Sequence, residues 1–231
     1  MQSDLEVYVG LQPEGPYRVS NSPYDVVMRL CQIIQGSGRN VTLDNWFTSI
    51  PLVEKLRRDY NLTVIGTIRK NKQEIPPQFS KPIHPPGGSM FGYKEACTLV
   101  SYVPKKKKNV LLVSSLHHDD NIDENSGKPE IIIDYNNTKG GVDIVDRLCA
   151  NYNVARNTRR WPMVIFYAIL NIAGINAQAV YFSNVPDNST PRRTFLRNLS
   201  ISLVQPLLLV RSSVTTLPRS LRQRLREICI G

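Results

Sequence analysis

The sequence predicts an α/β fold that is followed by a β-rich segment and then by helices. Three observations carry this. Strand and helix patterns alternate up to residue 69, the segment 72–134 turns rich in Pro, Lys and Gly, and helical spacing returns from Thr138 onward. A chain of 231 residues with 41% hydrophobic residues is long and apolar enough to bury a sizeable core.

In order along the chain, Leu5, Val7 and Val9 alternate with more polar residues, which predicts a short strand ending at Gly10. Val26, Val27, Leu30, Ile33 and Ile34 recur at helical spacing between Pro23 and Gln35, and Gly36-Ser37-Gly38 closes that helix. A strand from Asn40 to Leu43 ends in Asp44; Ile50–Asp59 is helical, with Pro51 tolerated in the first turn. Thr63–Arg69 (TVIGTIR) is a β-branched strand. In the next segment strands are expected near Thr98–Val103, Val110–Ser114 and Ile131–Tyr135, with Lys105–Lys108 at a hairpin tip, as an insertion that does not continue the parallel core. Beyond it, Val142, Val145 and Cys149 form one stripe of a helix, with Asp143 and Asp146 on the adjacent face. A helical stretch from Thr190 to Val210 is expected to break at Pro206, and a last helix opens at Pro218 with Leu217, Leu221, Leu225 and Ile228 on one side.

The uncharged run Val164–Phe182 imitates a membrane span. Asn171, Asn176 and Gln178 are costly in hydrocarbon, so a buried core helix is expected and no membrane partner. The N-terminus shows no charged and apolar leader pattern. Cys31, Cys97, Cys149 and Cys229 are widely spaced without a CxxC pair, which argues against a zinc site or a disulfide framework and for free thiols.

Net charge is +10, unevenly distributed. Residues 51–118 carry 12 basic against 4 acidic side chains and residues 119–146 carry 2 against 8. Residues 147–231 carry 12 against 2, every basic one an arginine. An acidic block between basic ones suits carboxylates that hold a metal, flanked by surfaces that grip phosphate; a solvated charged surface fits the pattern equally well. Two-metal phosphodiester chemistry needs convergent carboxylates, which an RNase H-like nuclease places at strand ends and on one helix. Asp44 and Asp143 occupy such places, with Asp146 one turn beyond Asp143. On spacing alone a turn or cap role suits Asp44 better, and an exposed N-terminal helix face suits the other two.

Four segments change that balance. VTLDNWFTSIPLVEKL (41–56), NLTVIGTIRKNKQEIP (61–76), YNNTKGGVDIVDRLC (135–149) and RNTRRWPMVIFYAILNIAGINA (156–177) closely resemble segments of piggyBac transposases, and the resemblance runs from about residue 5 to 228. It implies an RNase H-like domain with a β-rich insertion, whose activity is cut-and-paste DNA transposition with Mg²⁺ at TTAA sites. Matched position by position, Asp44 is the second metal-binding aspartate, Asp143 the third, and Asp146 the supporting acidic residue. The first catalytic aspartate would lie on a strand ahead of Leu5–Val9, so the expectation is an incomplete core lacking its first strand and a chain without independent catalysis. The implied organisation is 1–71 as the first part of the core, 72–134 as the insertion, 135–182 as the second part and 183–231 as a helical extension. Lys105, Lys106, Lys107, Lys108, Arg159 and Arg160 are candidates for DNA-backbone contacts by charge. The expected partner is DNA, with a homodimer possible and no small-molecule substrate, and the expected compartment is the nucleus. The alternatives are an active transposase with an upstream exon and a domesticated chromatin or interaction protein.

Overall fold

The computed structural model describes residues 4–8, 10–81, 84–185 and 189–230. The chain divides into two compact units, a sheet unit spanning Asp4–Val142 and a helical unit from Asp143 onward. The division falls inside the segment 135–182, in the first turn of a helix.

In the sheet unit, α1 (Pro23–Cys31) starts at Ser22, whose hydroxyl accepts the Asp25 N–H at 3.1 Å, and its Val27 and Cys31 are buried. β1 (Asn40–Leu43) and β2 (Thr63–Thr67) pair in parallel, Leu43 opposite Gly66, as a crossover connection requires. The crossover is α2 (Ile50–Tyr60), which buries Ile50, Leu52, Val53 and Leu56 on one stripe. It ends at Asn61, which takes the left-handed conformation (φ 49°). A short helix α3 (Pro77–Ser80) precedes the meander β3 (Ser89–Lys94), β4 (Cys97–Lys105) and β5 (Lys108–Ser114).

The five strands make one sheet in the order β1-β2-β5-β4-β3. Strands of the segment 72–134 thus extend the sheet beyond β2 in the antiparallel sense and do not lie between the two parallel strands. β5 pairs antiparallel with β2 through Ile65–Ser114, Gly66–Val113 and Thr67–Leu112, on the side of β2 away from β1. A buried strand edge has to be hydrogen-bonded, and β5 supplies the partner.

Successive residues of the strands feed opposite faces. Val64, Leu99, Leu111 and Val113 pack with α1 and α2, while Ile65, Val100 and Leu112 pack with Ile131 and Ile132 of α4 (Glu130–Thr138). The strand expected at Ile131–Tyr135 is this helix. Pro129 at its N-cap and Glu130 in the first turn favour a helix start, and an apolar run this short fits helix and strand equally. The strand expected at Leu5–Val9 is likewise absent: residues 5–8 are irregular and Val9 lies outside the described residues. Alternation makes a strand only where a neighbouring strand takes its backbone hydrogen bonds, and no described strand pairs with residues 5–8. The segment is held instead by Glu6, whose carboxylate accepts two bonds from the Arg29 guanidinium at 2.6 and 3.0 Å.

The helical unit takes in α5 (Gly141–Asn151) from its third residue, α6 (Trp161–Asn184), α7 (Arg192–Ser213) and α8 (Arg219–Ile230). α7 continues through Pro206 where a break was expected; the helix persists with one internal N–H donor missing. α7 and α8 pack as a pair, and Leu225 of α8 is buried. α6 corrects a second expectation. By length and composition it could cross a membrane, yet only 11% of its most apolar window is buried, so it is not a buried core helix. It is uncharged along its length and packs on α7 through Tyr181 and Phe182 against Phe195. Its polar side chains are used: Asn171 bonds Asn153 and the Val154 N–H, and Gln178 accepts from Arg192.

Candidate active-site carboxylates

Asp44 stands immediately after β1, exposed, at the head of a tight turn. Its Oδ1 accepts the Trp46 N–H at 2.9 Å and, more weakly, the Phe47 N–H at 3.4 Å. Its carbonyl accepts both the N–H (3.1 Å) and the hydroxyl (2.7 Å) of Thr48, which is fully buried. The turn and cap role is thus real, and it leaves the second carboxylate oxygen without a hydrogen bond among the described residues. The turn lies beyond the C-terminal end of a parallel strand pair, where α/β sheets place their ligand sites.

Arg69, just beyond β2, reaches the same turn. Its Nε donates to Asn45 Oδ1 at 3.3 Å, and its guanidinium lies 4.6 Å from the centre of the exposed Trp46 ring. The sequence reading ended a strand at Arg69 and gave it no role. The parallel pairing of β1 with β2 is what brings residue 69 beside residues 45 and 46.

A second set of contacts fastens α4 to the strand ends. The Thr42 hydroxyl donates to Thr138 Oγ1 at 2.8 Å, and the hydroxyls of Thr67 and Tyr135 lie 3.4 Å apart. His117 links Ser114 (Nδ1, 2.9 Å) to Asp134 (Nε2, 3.0 Å). The Ser114 oxygen already accepts the N–H groups of Leu116 and His117, so its own proton points at Nδ1 and the Nε2–H faces Asp134. None of these residues was singled out by pattern: apart from the local Ser114–His117 pair, each contact joins segments distant in sequence.

Asp143 and Asp146 belong to the helical unit. They are exposed, one turn apart on α5, and neither has a hydrogen-bond or ion-pair partner among the described residues. Asp143 lies in the first turn, where the helix dipole favours a carboxylate. Burial pushes the nearby Cys149 thiol above its ordinary range, and the Asp146 charge adds to that. Arg159 and Arg160 are exposed ahead of α6. In the sheet unit Lys105–Lys108 do form a hairpin tip, joining β4 to β5 with Lys107 at φ 64°, and all four are exposed.

Exposed carboxylate oxygens are the right donors for Mg²⁺ in kind. In number they fall short within either unit, and no three His, Cys, Asp or Glu side chains among the described residues form a group able to hold a metal ion.

Residues 3–178, more than half of the chain, match the Transposase IS4 family. The chain is also similar to a solved structure, a piggyBac transposase in a cryo-EM synaptic complex with hairpin DNA. Identity is 41% and the TM-score 0.84 over 93% of this chain. It spans 46% of that chain, about half its length. On these matches, and on a mixed five-stranded sheet with helices of the same fold, the chain belongs to the piggyBac-type transposase family.

Proposed function

We propose that this chain is a transposase-derived DNA-binding protein built on a DDD-type RNase H-like fold, in which Asp44, Asp143 and Asp146 are the site carboxylates. The observation that supports this best is the Asp44 turn, which offers one open carboxylate oxygen next to an exposed tryptophan and an arginine, beyond the end of a parallel strand. In the similar structure the transposase is held on hairpin DNA, and DNA is the partner proposed here. Lys105–Lys108, Arg159 and Arg160 supply exposed cations for phosphate contacts, and a second copy of the chain could share the same duplex. A DNA-bound role puts the working compartment in the nucleus.

We further propose that the 231-residue chain by itself binds without cutting. In-line attack on a phosphodiester by two metal ions needs both ions held, and Mg²⁺ demands near-octahedral oxygen geometry. Mg²⁺ would supply nucleophile activation and charge neutralisation when bound. Asp44 can offer it one oxygen, and Asp143 and Asp146 one helix face, so affinity should be weak.

The test is a duplex-binding titration at several salt concentrations, followed by Mg²⁺ or Mn²⁺ on DNA with transposon-like ends and TTAA flanks. Binding should weaken with salt, with a log–log slope of about −0.9 per phosphate contact, and no nicking should follow. A flat salt response would remove the DNA-binding reading. Metal-dependent nicking lost in Asp44→Ala and Asp143→Ala would establish the active-transposase alternative instead.

A further inference from the structure

We infer that Gly66 and Thr48 are positioning residues for the Asp44 carboxylate, an inference that rests on reading Asp44 as a site residue. β1 ends at Leu43, so its ladder does not hold Asp44. What orients the side chain is the turn that follows it. Two amides fix Oδ1, and the Thr48 hydroxyl and N–H together fix the Asp44 carbonyl and so the plane of the peptide that follows. Because Thr48 is fully buried, its hydroxyl has no water to turn to, and giving up the Asp44 carbonyl would leave a buried donor unpaired. That makes the hydroxyl a strong restraint on the turn.

Thr48 reaches this depth because β2 has no side chain at residue 66. A Cβ on Gly66 would stand 2.5 Å from Thr48 Oγ1, 2.8 Å from the Leu43 carbonyl oxygen and 3.3 Å from Leu43 Cβ. Leu43 and Gly66 are register partners, so the clash would fall at the point where β1 turns into Asp44. Gly66 is not a glycine needed for a left-handed backbone, since it sits inside β2 with ordinary strand pairing on both sides. Glycine in a strand interior sacrifices stability, and close approach of another segment is a physical reason for its presence. The chain of effect runs from the space at Gly66 to the buried Thr48 hydroxyl, to the Asp44 carbonyl, and through the turn to the two amides on Oδ1. The outcome is a carboxylate with one oxygen tied down and the other facing outward at a fixed angle. Arg69 holds the other limb of the turn through Asn45 and Trp46.

Solvent-exchange NMR on the full chain tests this through the Trp46 amide, which sits on an exposed residue and is protected by the Asp44 Oδ1 bond. Asp44→Ala should abolish that protection. Thr48→Val keeps the shape and the backbone N–H but removes the hydroxyl, and should speed Trp46 exchange about fivefold, the scale of one hydrogen bond. Thr48→Ser should stay within about twofold of wild type. The Leu112 and Val113 amides in the sheet should be unchanged in both, which general loosening would not allow. Gly66→Ala should match Asp44→Ala if it folds; Thr48→Val decides the matter if it does not. Wild-type Trp46 exchange in Thr48→Val overturns the inference. Mn²⁺ broadening of the Asn45–Phe47 amides, lost in Asp44→Asn, is read separately. If Mn²⁺ broadens nothing while Thr48→Val still releases Trp46, the positioning stands and the metal reading of Asp44 falls.

Discussion

The two units use apolar residues in opposite ways. In the sheet unit the 11-residue α2 buries four side chains, and Leu52, Val53, Leu56, Val64, Ile65, Val100 and Val113 are wholly enclosed. In the helical unit the 24-residue α6 buries one, Ile175, although it is far more apolar. α2 has one apolar stripe and a sheet face to lay it on; α6 is uncharged throughout, packs on α7, and leaves most of its apolar side chains exposed. Hydrophobic composition therefore does not make a core without a facing surface, and continuous exposed apolar area of this kind is what interaction surfaces are made of.

Truncation of one large side chain in each unit gives the sharpest contrast. Leu52→Ala should cost about 2–5 kcal/mol, because it leaves a cavity beneath α2. Phe166→Ala on α6, where Phe166 is 49% exposed, should change stability by no more than about 0.5 kcal/mol. Amide exchange of the sheet and of α6 in each variant, compared with wild type, would check this unit by unit. Equal losses would break the comparison.

A smaller effect is expected where the sheet unit relies on polar links. His117→Ala removes the bridge from Ser114 to Asp134 and should cost about 1–2 kcal/mol. The loss should show as faster exchange in α4, with β1 and β2 unaffected. If α4 is undisturbed, its apolar contacts from Ile131 and Ile132 hold it without the bridge.

The smallest effect concerns the edge of that unit. The Arg29 hydrogen bonds, aided by its charge and opposed by burial, hold the Glu6 carboxyl below its usual range. A depressed native value means the contribution is complete above the ordinary glutamate pKa and is lost as pH falls through the lowered one. Proteolysis of the segment around residues 5–8 should therefore accelerate in acid before the sheet opens. The pair is partly exposed, so the gain in protection at neutral pH should be slight.

The local elements were legible in the sequence where a pattern was both regular and locally signalled. The helix at Pro23 has its serine cap, α2 has its apolar stripe and first-turn proline, and Lys105–Lys108 mark a hairpin tip between β-branched runs. Asp44 was legible as a strand-end residue, and the DNWFTS and TKGGVD segments carried the family. The partners of Asp44 were not legible. Thr48, Gly66 and Arg69 matter because β1 and β2 lie side by side, which no local window contains.

By itself the sequence determined most of the alternating elements, the hairpin and the carboxylate positions, because propensity, capping and apolar period act over a few neighbouring residues. Tertiary structure alone decided that β5 closes the second edge of β2, that Ile131–Tyr135 is helical, that residues 5–8 form no strand, and that α6 stays exposed. Those outcomes depend on which backbone edges and apolar faces find a partner in space. A hydrogen-bond ladder or a buried face is a property of two surfaces, and one stretch of sequence specifies only its own.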